Sequence, residues 1–90
     1  MLPEQDNATT IREVEGTVLQ VDLLAREIRL AVGGALLDLI VPPDCVILLN
    51  GERIKLRLLE QRDRVHVRYA LVGEVPFAHS VQVDSLARVG

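Results

Sequence analysis

Apolar and polar residues alternate with a period of two through six short stretches of this chain, and nearly every gap between them carries a turn signal. The clearest case is Arg26-Glu27-Ile28-Arg29-Leu30-Ala31-Val32, followed by Gly33-Gly34 and a second run over 35–41. In an extended chain successive side chains point to opposite faces, so alternation means one dry face and one wet face. A Gly-Gly pair between two such runs supplies the positive φ angles that a tight hairpin turn demands. The pattern predicts an all-β fold, a small and mostly antiparallel barrel of about six strands with one short helical turn.

Residues 1–11 are polar, carry Pro3 and read as a flexible N-terminal tail, which leaves 12–90 as a single barrel domain. Strand one covers 12–21. It places Val14, Gly16 and Val18 on one face, but the next inward position is Val21, three residues on. That slip in parity predicts a β-bulge near Leu19-Gln20, and Gly16 is where a coiled strand bends. Strand two puts Ile28, Leu30 and Val32 inward. Strand three puts Leu37, Leu39 and Val41 inward and ends at Pro42-Pro43, which have no N–H for a ladder. Strand four turns Cys45, Ile47 and Leu49 inward and stops at the turn pair Asn50-Gly51. Residues 53–60 break the alternation and predict one short helical or 3₁₀ turn that plugs a barrel end with Leu56 and Leu59. Strand five (64–72) points Val65, Val67, Tyr69 and Leu71 inward, and strand six (75–83) points Phe77, Val81 and Val83 inward. A register pairing Val67 with His79 and Tyr69 with Phe77 keeps the apolar faces together, turning His79 inward and His66 outward.

Gly16-Thr17-Val18, Val21-Asp22 and Ile28-Arg29-Leu30, then Val41-Pro42-Pro43-Asp44, Ile47-Leu48-Leu49-Asn50-Gly51, Leu56, Leu59 and Asp63-Arg64-Val65-His66-Val67 resemble in order and spacing a group of small bacterial OB-like β-barrel domains of unknown function. The resemblance spans roughly 14–83. It implies an OB-like barrel and no catalytic residues. Because many such domains are exported, it also keeps an envelope or secreted location open beside a cytoplasmic one. The chain departs from the pattern at Gln61-Arg62-Asp63, where the group has Pro-Gly-Asp, and at Lys55, where a Ser usually opens the short helix.

Composition narrows the function classes. A formal charge of −3 argues against a general electrostatic grip on nucleic acid or membrane. Cys45 is the only cysteine, so no disulfide forms within one chain, and a lone Cys beside a strand reads first as a small buried apolar group. No stretch reaches the ~18 apolar residues of a membrane span. The acidic, polar start has no signal-peptide character, so the expected location is cytoplasmic for a complete chain and envelope or secreted for a trimmed one.

Cys45, His66, His79 and Met1 show no ligand spacing, and a copper carrier needs a Met and His cluster that the sequence does not show, so no metal and no cofactor is expected. No nucleophile, base and orienting group stand out, and an enzyme is not expected. Arg57, Arg62, Arg64, His66 and Arg68 form a basic stripe around strand five that would suit a polyanion or single-stranded nucleic acid. Tyr69 and Phe77 are the only aromatics, however, and both fall on the inward parity. No stacking platform is left, and each stacked base would have contributed about 1–3 kcal/mol. The stronger signal is apolar: Leu19, Leu36, Ile40, Val46 and Leu48 occupy outward positions, with Ala70 and Val72 adding to them. A monomer seldom tolerates a large contiguous patch of this kind. The expected function is a non-catalytic module that forms a homo-oligomer or docks on a protein partner through this face. The competing reading is that residues 1–12 or the C-terminal segment fold over it.

Overall fold

The computed structural model describes residues 10–84. Strands β1 (Ile11–Asp22), β2 (Glu27–Val32), β3 (Ala35–Ile40), β4 (Val46–Leu49), β5 (Glu52–Arg53), β6 (Arg64–Val72) and β7 (Val75–Val83) form one sheet in the order β3-β2-β1-β6-β7-β4-β5. A parallel pairing of Ile40 with Phe77 joins β3 to β7 and closes the ring β1-β2-β3-β7-β6. β4 also runs parallel to β7, further along, with Val46 opposite Ser80 and Leu49 opposite Val83. Six strands carry the barrel, and the two-residue β5 folds back on the end of β4.

The tight turns follow from residues that tolerate positive φ. Gly33 and Gly34 adopt φ 55° and 89°, and Asn50 and Gly51 adopt 57° and 80°, the left-handed values that match the twist of the flanking strands. The long β1 is shared between two ladders. Residues 11–17 pair with β6 and 17–22 with β2, with the expected bulge between Val18 and Gln20. Gly16 stands at that hand-over. A Cβ there would lie 2.6 Å from the Ala31 carbonyl oxygen and 2.9 Å from Val32 Cγ2, so the strands close only because it has no side chain.

The core is aliphatic and single. Val18, Ile28, Leu30, Leu39, Val41, Val67 and Val81 are fully buried, and the parity read for β1 to β4 holds. The 3₁₀ turn Leu56–Leu58 has Leu59 as its C-cap and seats Leu56 and Leu59 in the core, each 4% exposed, while Leu58 points out. Asp63 is the one buried charged residue among those described. Its Oδ2 accepts a hydrogen bond from the Glu60 N–H at 2.9 Å, which holds the turn before β6.

The last hairpin differs from the sequence reading. Val67 pairs with Val81, Tyr69 with Ala78 and Ala70 with Phe77, with a bulge between Arg68 and Tyr69. The extra residue is His79, which is exposed and not inward. The bulge moves Ala78 into the core and turns Phe77 to the outer face, where it is half-buried. The physical reason is the same parity slip as in β1: Ala78 and Val81 are both inward and three residues apart. The hairpin loop is two residues, Gly73-Glu74, where the register with Tyr69 opposite Phe77 would leave three, Val72-Gly73-Glu74. Two further differences are smaller. β4 begins at Val46, one residue after the buried Cys45, and Ile11 already belongs to β1, while the rest of the expected tail and the segment 85–90 lie largely outside the described residues.

Candidate functional site

The most distinctive surface is a row of side chains that the register lines up across four strands. Ile11 pairs with Ala70, Ala70 with Phe77 and Phe77 with Ile40, from β1 through β6 and β7 to β3. Paired residues share a face. None of the four belongs to the barrel core cluster, so the row lies on the outside. Ala70, read from the sequence as exposed, is 2% exposed because it sits in the middle of this row. Val72 pairs with Val75 one step further along the hairpin, and both are exposed. The parallel contact of β3 with β7 brings the outer side of β3 alongside, including Leu36, which is 64% exposed.

The five outward residues singled out in the sequence are distributed as follows. Ile40 belongs to this row, and Leu36 lies on the outer side of β3 beside it. Val46 and Leu48 are half-buried on the outer side of β4, opposite Ser80 and Gln82. β3 and β4 do not pair with each other but follow one another along the same edge of β7, so Ile40 and Val46 flank it at Phe77 and Ser80. Leu19 sits apart, at the β1 bulge, separated from β3 by β2. None of the five joins the core cluster.

The basic stripe does not stand alone. Arg64, His66 and Arg68 face outward on β6, opposite Thr17, Glu15 and Glu13 of β1. His66 Nε2 lies 2.9 Å from Glu13 Oε1 and its Nδ1 lies 3.6 Å from Glu15 Oε2. Arg68 Nε lies 3.6 Å from Glu13 Oε2, and Arg64 Nη1 donates to Thr17 Oγ1 at 3.2 Å. Each pair is exposed and contributes little stability, but Glu13 and Glu15 cancel part of the field a polyanion would feel. Arg57 lies in the 3₁₀ turn and Arg62 in the turn before β6, at φ 77°. Neither lines the cleft of about 440 Å³ that Arg64 and His66 share with Glu15 and Asp84. On β2 and β3, Arg29 and Asp38 form a further cross-strand pair at 2.8 Å. Its hydrogen bond holds the Asp38 carboxyl below the usual carboxylate range.

A closed five-strand ring with a short plug before its fourth strand defines the class of this protein: a small OB-like β-barrel. No family model and no curated protein matches the chain at the level of sequence. Solved structures do match. The apo form of CusF from Escherichia coli superposes with a TM-score of 0.68 at 12% identity, over 93% of this chain and 99% of that one. The Ag(I) form of CusF from Escherichia coli gives 0.69 at 11% identity, over 89% and 99%. The likeness is one of fold.

That neighbour's Ag(I) poses a question of fit. Soft ions gather thiolate, thioether or imidazole donors around one point. Among the described residues no three His, Cys, Asp or Glu side chains are so placed. Cys45 is buried and its thiol is pushed up to about 11, first by burial and then by the Asp44 charge, with Arg26 pulling the other way. His66 is engaged by Glu13 and Glu15, and His79 is exposed at the bulge. Met1, the only methionine, lies outside the described residues. The described side chains therefore do not fit a site for such an ion. Tyr69 lies in the core while Phe77 and His79 face outward, so these three side chains do not line one pocket.

Proposed function

We propose that this chain is a non-catalytic assembly module that associates with a second copy of itself through the outer apolar face around Phe77. The observation that carries the reading is the row Ile11–Ala70–Phe77–Ile40, with Leu36, Val72 and Val75 exposed around it. Fully burying one Leu, Ile or Phe side chain stabilises by about 1.5–3 kcal/mol. Several together make the apolar centre of an interface, although association entropy offsets much of that gain. A face built of apolar groups is complementary to itself under a two-fold axis, which is why a second copy is the partner of choice. The edge of β3 favours the same partner. It meets β7 only at Ile40, so residues 35–39 have a ladder neighbour on one side alone among the described residues. Such an edge, beside exposed Leu36, is a template for strand pairing.

Light scattering coupled to size exclusion tests this. Wild-type protein is expected at twice the chain mass at micromolar concentration, and a Leu36→Glu, Val72→Glu, Val75→Glu variant at the mass of one chain with an unchanged circular dichroism spectrum. A wild type that stays at one chain mass up to millimolar concentration rejects the proposal. Adding equimolar Ag(I) is expected to leave the melting temperature unchanged, and a stoichiometric rise would replace this reading with a metal-carrying one.

A further inference from the structure

Away from the apolar face, a cleft of about 400 Å³ opens between the β3–β4 connection and the segment entering the 3₁₀ turn. Its floor is Cys45, Ile47, Ile54 and Leu56, and three cations stand around it: Arg26, Arg53 and Lys55. No acid lines it among the described residues. The size falls within the ~300–1,000 Å³ of small-ligand pockets, which combine an apolar lining with a few polar groups that fix orientation.

The three cations are not equivalent. Arg26 is held in place, its Nε donating to the Val41 carbonyl at 2.8 Å and its Nη2 to the Pro42 carbonyl at 3.4 Å. It is anchored at a residue with φ 54°, where β1 turns into β2. Its charge reaches the floor, where it opposes the stronger effect of the neighbouring Asp44 on the Cys45 thiol. Arg53 and Lys55 are exposed, and among the described residues no carboxylate pairs with either as Glu13 does with Arg68 or Asp38 with Arg29. On a chain of charge −3, whose other outward cations on β2 and β6 sit opposite acids or hydroxyls, a rim of three cations over an apolar floor, with Asp44 as the one acid whose charge acts on Cys45, is distinctive.

We infer that this cleft binds a small amphiphilic organic anion, its acidic head between Arg26, Arg53 and Lys55 and its apolar body on Cys45, Ile47, Ile54 and Leu56. A guanidinium that is already oriented by backbone carbonyls loses little freedom when it meets a carboxylate. The apolar floor supplies the attraction that a bare ion would lack.

The probe is decanoate below its micellar concentration, titrated into 15N-labelled full-length protein, with 1-decanol as the uncharged control. Saturable binding is expected, with the largest amide shifts at Cys45, Ile47, Ile54 and Leu56, and decanol is expected to bind at least about tenfold more weakly. Arg53→Glu, Lys55→Glu alters two exposed side chains and leaves the core intact. It is expected to weaken decanoate binding about tenfold or more while leaving the melting temperature within a few degrees of wild type. Three results would overturn the inference: no saturation at millimolar decanoate, equal affinity for decanol, or shifts centred on Ile11, Ile40 and Phe77 instead.

Discussion

Replacing Gly16 with Ala tests the closest backbone approach in the barrel. The new Cβ would stand 2.6 Å from the Ala31 carbonyl oxygen, a backbone atom fixed in the β1–β2 ladder, and 2.9 Å from Val32 Cγ2. The valine can rotate away, but the carbonyl moves only if the strands part. Overpacking of this kind costs about 1–3 kcal/mol. Against it stands the gain from a less flexible unfolded chain, about 0.4–1 kcal/mol for Gly→Ala where the backbone conformation is permissive. The steric effect wins, for a net loss of about 1–2 kcal/mol, and at about 4–8 °C per kcal/mol for a domain of this size the melting temperature falls by about 5–15 °C. Gly33→Ala is the control. Its φ is 55° and nothing lies within 4 Å of the added methyl, so it meets only the left-handed penalty of about 1–2 kcal/mol. Thermal melts and urea titrations followed by circular dichroism measure both. A third variant, Gly16→Val, adds bulk at the crowded position and deepens the loss there. A Gly16→Ala protein as stable as wild type would refute the close approach and, with it, the hand-over of β1 between two ladders.

Sidedness of β3 predicts a contrast between neighbours: Leu39→Ala, fully buried, loses about 2–5 kcal/mol in urea titration, whereas Leu36→Ala, 64% exposed, stays within about 0.5 kcal/mol at concentrations where the chain is monomeric. Removing the acids opposite β6 with Glu13→Gln, Glu15→Gln should create retention on heparin that fades with added salt, while wild type elutes early; strong wild-type retention would contradict the cancellation argued from the cross-strand pairs. The Cys45 thiol, pushed up to about 11 in the folded protein, should resist iodoacetamide at pH 8. Because its folded value is raised, its contribution is present below the unfolded value of about 8.5 and is lost as pH rises through about 11. Stability measured from pH 8 to 11 should decline in wild type and decline less in Cys45→Ala.

What the sequence makes legible is local. Gly33-Gly34 and Asn50-Gly51 announce their turns because few residues adopt positive φ, and the step from Val18 to Val21 announces a bulge because parity must be restored. The same step from Ala78 to Val81 announces another, but Phe77 masks it: a large aromatic one position from a small Ala draws the inward assignment to itself. That single displacement is why the outer row around Phe77 is not visible before the register is known. The partners of the basic stripe are hidden for a different reason. Glu13 and His66 are 53 residues apart, and only the pairing of β1 with β6 brings them together. The cleft rimmed by Arg26, Arg53 and Lys55 draws on three separate segments that only the fold brings together.

The proposed interface requires the row Ile11, Ile40, Phe77 with its exposed neighbours to lie outside the barrel and a second chain to cover it. Solvent paramagnetic relaxation of methyl-labelled protein reads this directly. With a neutral gadolinium chelate, the methyls of Ile11, Leu36, Ile40, Val72 and Val75 should relax strongly in dilute samples and become protected as concentration rises, while Leu39 and Val67 stay protected throughout. Protection of the outer methyls at every dilution would mean that the chain covers them itself, and relaxation undiminished at every concentration would mean that no second copy does. Either result would contradict the account.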